Sequence, residues 1–188
     1  MRLTLASSSP RRRELLAMLL SDFDVCSPDI DETPMSGEAP EHYVSRLAME
    51  KARRVVGASA IRLGADTTIV HAGQILGKPI DTEDARGLLA RLSGDSHAVL
   101  TAVSVVHGAI AQVRLTSTRV TFAELSLDTI DAYLQTDEPW DKAGGYAIQG
   151  YAGSFVERIE GSYSGVVGLP LCETRCLLED MGLTEKHG

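Results

Sequence analysis

The sequence predicts an α/β fold built on a mixed sheet with flanking helices. Strand-like and helix-like segments alternate along the chain, and a long antiparallel hairpin sits in the middle of that alternation. The 188 residues are 44% hydrophobic, which suits one compact domain over residues 1–188 with a real core.

The elements follow in order. Leu3–Ala6 reads as a first strand. The turn Ser7-Ser-Ser-Pro10 then enters a helix, with Ser9 at the N-cap and Pro10 at the first helical position. That helix runs to about Leu20 on a stripe of Leu15, Leu16, Leu19 and Leu20. Phe23–Cys26 is a short strand, and Pro28–Pro40, rich in Pro, Asp, Glu and Ser, is a loop. A long helix spans Glu41 to Gly57, with Val44, Leu47, Ala48, Lys51 and Val55 on one face. Ile61–Val70 is a strand, and Gln74–Ile75 returns as a hairpin arm. Thr82–Leu92 is a helix capped by Thr82 or Asp81. His97–His107 and Ala109–Phe122 form the long hairpin around Gly108. Leu127–Thr136 is helical, Glu138–Ser154 is glycine-rich and irregular, Phe155–Ile159 is a strand, and Leu169–Met181 is a closing helix.

Composition narrows the function. The net charge of -8 argues against non-specific binding to a nucleic acid polymer or an anionic membrane. It leaves room for a small anion, because screening confines exposed charges to about 8 Å at physiological salt. Cys26, Cys172 and Cys176 give no disulfide framework and read as buried free thiols in a reducing compartment. The five histidines are scattered, so a His/Cys metal set is not expected. No export signal or membrane span is visible, and the expected location is the cytoplasm.

Several short segments could carry chemistry. Ser7 to Arg13 joins a strand to a helix N-terminus, where free backbone N–H groups and the dipole favour an anion. Ser7 and Ser9 add hydroxyls, and Arg11 and Arg12 add planar forks suited to phosphate. The same residues also read as a capped helix with a solvated basic first turn. Asp66 interrupts the apolar run Ile61–Val70, and a buried carboxylate demands a partner, a metal or a role as base. It also reads as a turn aspartate at a strand end. Gly73 to Pro79 superficially resembles a phosphate-binding P-loop, but the spacing is one residue short and Pro79 replaces the required hydroxyl residue. Lys78 within it is either a phosphate ligand or an ordinary turn lysine.

Asp141 to Gly150 contains small residues that admit a ligand to the backbone, and Gln149 offers an amide that can read a pyrimidine edge. A flexible loop is the plain alternative. Lys51 is either an inward cation or a lysine whose stem covers apolar surface. Glu32 lies in the acidic run Asp29 to Glu32, which is otherwise a solvated loop. Together the cations, the carboxylate and the helix terminus suit phosphoryl chemistry with a hard divalent metal.

At these residues the sequence resembles the Maf (septum formation inhibitor) family. The matching segments run from Leu5-Ala-Ser-x-Ser-Pro-Arg-Arg12 through Asp31-Glu32, Arg46-Leu-Ala-x-Glu-Lys51-Ala, Gly64-Ala-Asp66-Thr67 and Lys78-Pro79. They continue through Leu92-Ser-Gly94, Asp141-Lys-Ala-Gly144, Tyr146-x-Ile-Gln-Gly150, Gly161-Ser-Tyr163 and Val167-Gly-Leu-Pro170.

The resemblance implies an ITPase-like fold, a mixed and strongly bent sheet in two lobes around a central cleft. It implies hydrolysis of nucleoside triphosphates at the α–β anhydride, with Mg²⁺ or Mn²⁺ as cofactor and a homodimer as the assembly. Asp66 matches the family's proton acceptor, with Lys51 and Lys78 beside it in the catalytic set. Ser7, Ser9, Arg12, Lys51 and Lys78 are the implied phosphate ligands, and Glu32 and Asp66 the implied metal ligands. Arg11, Thr67 and Gln149 match the branch acting on dTTP and UTP; a related branch, active on 7-methyl-GTP, carries Trp, Gln and Glu there. A purine-directed enzyme of the same fold and a non-enzymatic nucleotide-binding regulator of septum formation are the competing readings.

Overall fold

The computed structural model describes residues 2–55 and 61–183. Among them, seven strands form one sheet: β1 (Leu3–Ala6), β2 (Asp24–Cys26), β3 (Ile61–His71), β4 (Gln74–Leu76), β5 (Ser96–His107), β6 (Ile110–Phe122) and β7 (Val156–Glu160). The flanking helices are α1 (Pro10–Ala17), α2 (Pro40–Arg54), α3 (Thr82–Leu92), α4 (Leu127–Leu134), α5 (Tyr163–Val167) and α6 (Leu171–Asp180). The strand order is β2-β1-β3-β5-β6-β7, with β4 also on β3. β1 runs parallel to β2 and β3, while the other pairings are antiparallel, so the sheet is mixed as expected.

The pairing of β3 creates the opening that matters. One edge is bonded to β5 from Ile61 to Val70. The other edge is shared: β1 pairs with Ile61 to Gly64, and β4 pairs with Ile69 to His71. Residues 65–68 lie between these partners, so the sheet splits there. The chain leaves β1 at Ser7 and turns into α1 on one side of the split.

Alternation along β3 sends successive side chains to opposite faces. On one face Leu63 and Ala65 join a core with α1 and α6, while Ile69 joins a second core with α3 and α4. The register partners Thr67 and Thr101 separate these two clusters, which are the two lobes. On the other face lies α2, whose Val44 and Ala48 pack on Leu100 and Ala102.

Gly64 sets how closely α2 approaches. A Cβ there would lie 2.2 Å from the Ala48 carbonyl oxygen and 2.7 Å from the Ala52 nitrogen, both backbone atoms. Gly64→Ala must therefore push α2 outward and carry Lys51 with it. The expected cost is about 1–3 kcal/mol, typical of overpacking, read as a fall of several degrees in melting temperature together with lower turnover. An unchanged melting temperature and rate would show that the contact does not seat the helix.

Some sequence expectations are corrected. α1 ends at Ala17 rather than near Leu20, because the Met18, Leu19 and Leu20 N–H groups fold back onto the Leu15 and Leu16 carbonyls in a tightened turn. The foreseen end of α2 at Gly57 lies outside the described residues. The closing helix begins at Leu171, after Pro170, and β7 begins at Val156 because Phe155 ends a 3-10 turn. The five-residue α5 is too short to show a period. The thiols are not buried: Cys26 and Cys172 are exposed and Cys176 is half-buried. Cys26 ends the edge strand β2, and α6 buries Thr174, Leu177 and Leu178, which turns positions 172 and 176 outward.

Candidate active site

The split in the sheet opens into a cleft of about 570 Å³, within the range of small-molecule sites. All ten residues singled out from the sequence line it: Ser7, Ser9, Arg11, Arg12, Glu32, Lys51, Asp66, Thr67, Lys78 and Gln149. They come from both sides of the split and both faces of the sheet.

The α1 side is built by capping. Ser9 is the N-cap, its Oγ accepting from the Arg12 N–H at 3.4 Å, and Pro10 follows at the first position. Ser7 is buried, and its Oγ accepts from the Ser9 N–H at 3.1 Å. The Arg12 side chain then crosses to the far end of the chain. Its Nε donates to the Gly168 carbonyl at 2.8 Å and its Nη2 to Thr67 Oγ1 at 3.2 Å. Burial lowers the Arg12 pKa against the raising charges of Asp66 and Glu32. An arginine remains charged at neutral pH even so.

Thr67 is held from behind. Thr101 Oγ1 lies 3.1 Å from Thr67 Oγ1 and 2.8 Å from the Gly165 carbonyl, so α5 is tied to the middle of the sheet.

The α2 side carries the carboxylates. Lys51 is on the buried face of α2, as its spacing predicts, and is only 8% exposed. Its Nζ donates to Asp66 Oδ1 at 2.6 Å and to Glu32 Oε1 at 2.7 Å. The buried Asp66 thus has the partner it needs. Glu32 reaches the site on a long loop fastened to α2. Tyr43 Oη donates to the Glu32 carbonyl at 2.9 Å, and Arg46 donates to the Thr33 carbonyl and both oxygens of Glu38.

The two carboxylates have their pKa values moved in opposite directions. Burial raises that of Asp66, against the lowering charges of Lys51 and Arg12. For Glu32, burial also pushes upward, but the Lys51 hydrogen bond and the charges of Lys51, Lys78 and Arg12 outweigh it and the pKa falls. Such a separation is the usual signature of distinct roles for two neighbouring acids.

No group of three or more His, Cys, Asp or Glu side chains able to hold a metal occurs among the described residues. Glu32 and Asp66, gathered on one ammonium, form an all-oxygen pair. That donor set fits Mg²⁺ or Mn²⁺, hard ions that take one or two carboxylates and fill the remaining positions with water and phosphate oxygens.

Lys78 and Gln149 are exposed at the cleft rim, one following β4 and the other in the 3-10 region, and the two segments are joined where the Gly144 N–H donates to the Gly77 carbonyl at 2.9 Å. Arg11 faces the same region as Asp141, whose pKa it helps to lower. Tyr43, Thr101 and Gly168 are the contributors that sequence reasoning missed.

With this geometry in view, the comparisons are specific. The sequence profile of the Maf-like protein family matches residues 2–181. The dTTP/UTP pyrophosphatase of Hahella chejuensis is 54% identical over 187 residues, covering 97% of this chain and 93% of its own. That of Shewanella oneidensis is 51% identical, covering 97% of this chain and 100% of its own. That of Anaeromyxobacter dehalogenans is 53% identical, covering 96% and 94%. Among solved structures, the Staphylococcus aureus Ham1 protein superposes with a TM-score of 0.54 at 13% identity, covering 96% of this chain and 100% of that one. That last likeness speaks for the fold alone.

Proposed function

The chain belongs to the Maf family, and from that membership we infer a nucleoside triphosphate pyrophosphatase. It hydrolyses dTTP and UTP to the nucleoside monophosphate and pyrophosphate. The observation that carries this reading is the convergence of ten residues from separated segments on one cleft.

In the proposed reaction Asp66 accepts a proton from the attacking water. Its raised pKa makes it a better base than an ordinary aspartate. The water oxygen forms a new bond to phosphorus, the bridging P–O bond of the α–β anhydride breaks, and pyrophosphate leaves. Ser7, Ser9, the α1 N-terminus, Arg12 and Lys78 hold the phosphates, and Lys51 keeps the two carboxylates together while offsetting their charge. Glu32 and Asp66 would hold the divalent ion, which supplies Lewis-acid polarisation of phosphate oxygens when bound. Arg11, Thr67 and Gln149 select the base.

The proposal extends to a cytoplasmic homodimer, supported by the family likeness. No helix among the described residues is long and apolar enough to cross a membrane.

The deciding experiment is a panel of triphosphates with pyrophosphate detection, run with Mg²⁺, Mn²⁺ and chelator. The expected result is preference for dTTP and UTP, abolished by chelation. Gln149→Glu should lower kcat/KM for these two more than for other triphosphates, because a carboxylate cannot donate to a carbonyl of the base. A flat panel, or an unchanged profile in the variant, would contradict the assignment.

A further inference from the structure

We propose that Glu138 is a positioning residue for base selection, holding the turn that presents Gln149. This rests on the reading that Gln149 contacts the base.

Gln149 is exposed, and its side chain makes no hydrogen bond among the described residues. Its position is therefore set by its backbone. Within that turn the Gly150 N–H donates to the Ala147 carbonyl at 3.1 Å, and the Gly153 N–H to the Gly150 carbonyl at 3.0 Å. From outside comes Glu138, whose Oε1 accepts from the Tyr151 N–H at 2.8 Å. It is the one described hydrogen bond tying residues 149–151 to a distant segment. It also caps the first N–H of the 3-10 turn Tyr151–Phe155, which has no side-chain cap of its own.

The fit is close. A Cβ on Gly150 would lie 2.3 Å from Glu138 Oε2 and 2.4 Å from Oε1, so the carboxylate rests directly on the glycine. Oε2 is buried, and the carboxylate also acts on the Tyr133 hydroxyl, whose pKa is raised by burial and by Glu138. Glu138 is itself anchored, since Lys142 Nζ donates to its carbonyl at 2.8 Å and Pro139 follows it. Beyond the turn, the Tyr151 ring stacks on Tyr133 at 6.2 Å. The turn next to Gln149 is thus clamped from both ends of the segment 133–142.

The test compares kcat/KM for UTP and CTP in Glu138→Ala, Glu138→Gln, Gly150→Ala and Gln149→Ala, with thermal melting of each. Glu138→Ala should lower the UTP:CTP ratio by about 10–100-fold, through a higher KM for UTP with kcat for UTP largely kept. Glu138→Gln should restore the ratio, because its amide oxygen still accepts from the Tyr151 N–H. Gly150→Ala displaces the carboxylate without removing it and should lower the ratio as well, which keeps the proposal testable should Glu138→Ala not fold.

An equal loss for both substrates, or a kcat loss with the ratio intact, would overturn the positioning role. A collapsed ratio in Gln149→Ala beside an unchanged one in Glu138→Ala and Gly150→Ala would overturn it too, and leave the Gln149 reading standing. An unchanged ratio in Gln149→Ala itself would remove that reading first, and this proposal with it.

Discussion

Asp66→Asn is expected to lower kcat for dTTP and UTP by about 10²–10⁴-fold, the usual share of a general base. Asparagine has nearly the same volume, and its amide oxygen can still accept from Lys51 Nζ, which bonds Asp66 at 2.6 Å. The fold and the cleft should therefore survive while the proton acceptor is lost.

The pH dependence gives a second readout. Burial raises the Asp66 pKa above its ordinary 3.8, so the ionised base is lost at higher pH than an exposed aspartate would be. kcat/KM should fall on the acid side through that pKa in the native enzyme, and the acid limb should vanish in the Asn variant. Stability has the opposite sign. The folded state takes up this proton more readily than the unfolded one, so the contribution of Asp66 is full below pH 3.8 and declines as pH rises through its folded pKa. Near-native turnover in Asp66→Asn, with the acid limb retained, would remove Asp66 from its role.

Lys51→Met should have the other large effect. Lys51 is buried and is the shared partner of Asp66 and Glu32. Methionine fills the space but leaves two carboxylates facing each other without their cation. Loss of a preorganised charge at a reacting centre costs about 10²–10³-fold in kcat. Breaking a buried pair from one side costs about 3–5 kcal/mol; Glu32 is half-exposed, which places the expected loss at the lower end, about 3 kcal/mol. The acid limb of kcat/KM should also move to higher pH, because Lys51 lowers the pKa of both carboxylates. Kinetics across pH and a urea titration would read all three. A variant with unaltered limb and stability would mean that Lys51 does not bridge the acids in solution.

Much of this site is legible in the sequence because its residues break local rules. Asp66 stands inside an apolar strand, and Lys51 falls on the apolar stripe of α2. Basic residues occupy the first turn of α1, against its dipole. Each anomaly asks for a partner, and the structure supplies it across the split in the sheet. What stays hidden acts through backbone or register. Gly168 contributes a carbonyl to an arginine 156 residues away, and a carbonyl leaves no trace in residue type. Thr101 matters because it is the register partner of Thr67. Tyr43 and Glu138 work by holding loops, which requires knowing where the loops go. The exposure of the thiols is hidden for a related reason. Composition speaks for cysteine burial in general, whereas the phase of α6 decides it for Cys172.

The most direct test is a crystal structure of the native enzyme with Mg²⁺ and the α,β-imido analogue of dUTP, which resists cleavage at the α–β anhydride. The phosphates are expected against Ser9, Arg12 and Lys78, the uracil beside Gln149, and the metal held by Glu32 and Asp66. A nucleotide bound away from the split in the sheet, or one seated there in reverse with its base on Arg12, would contradict the account.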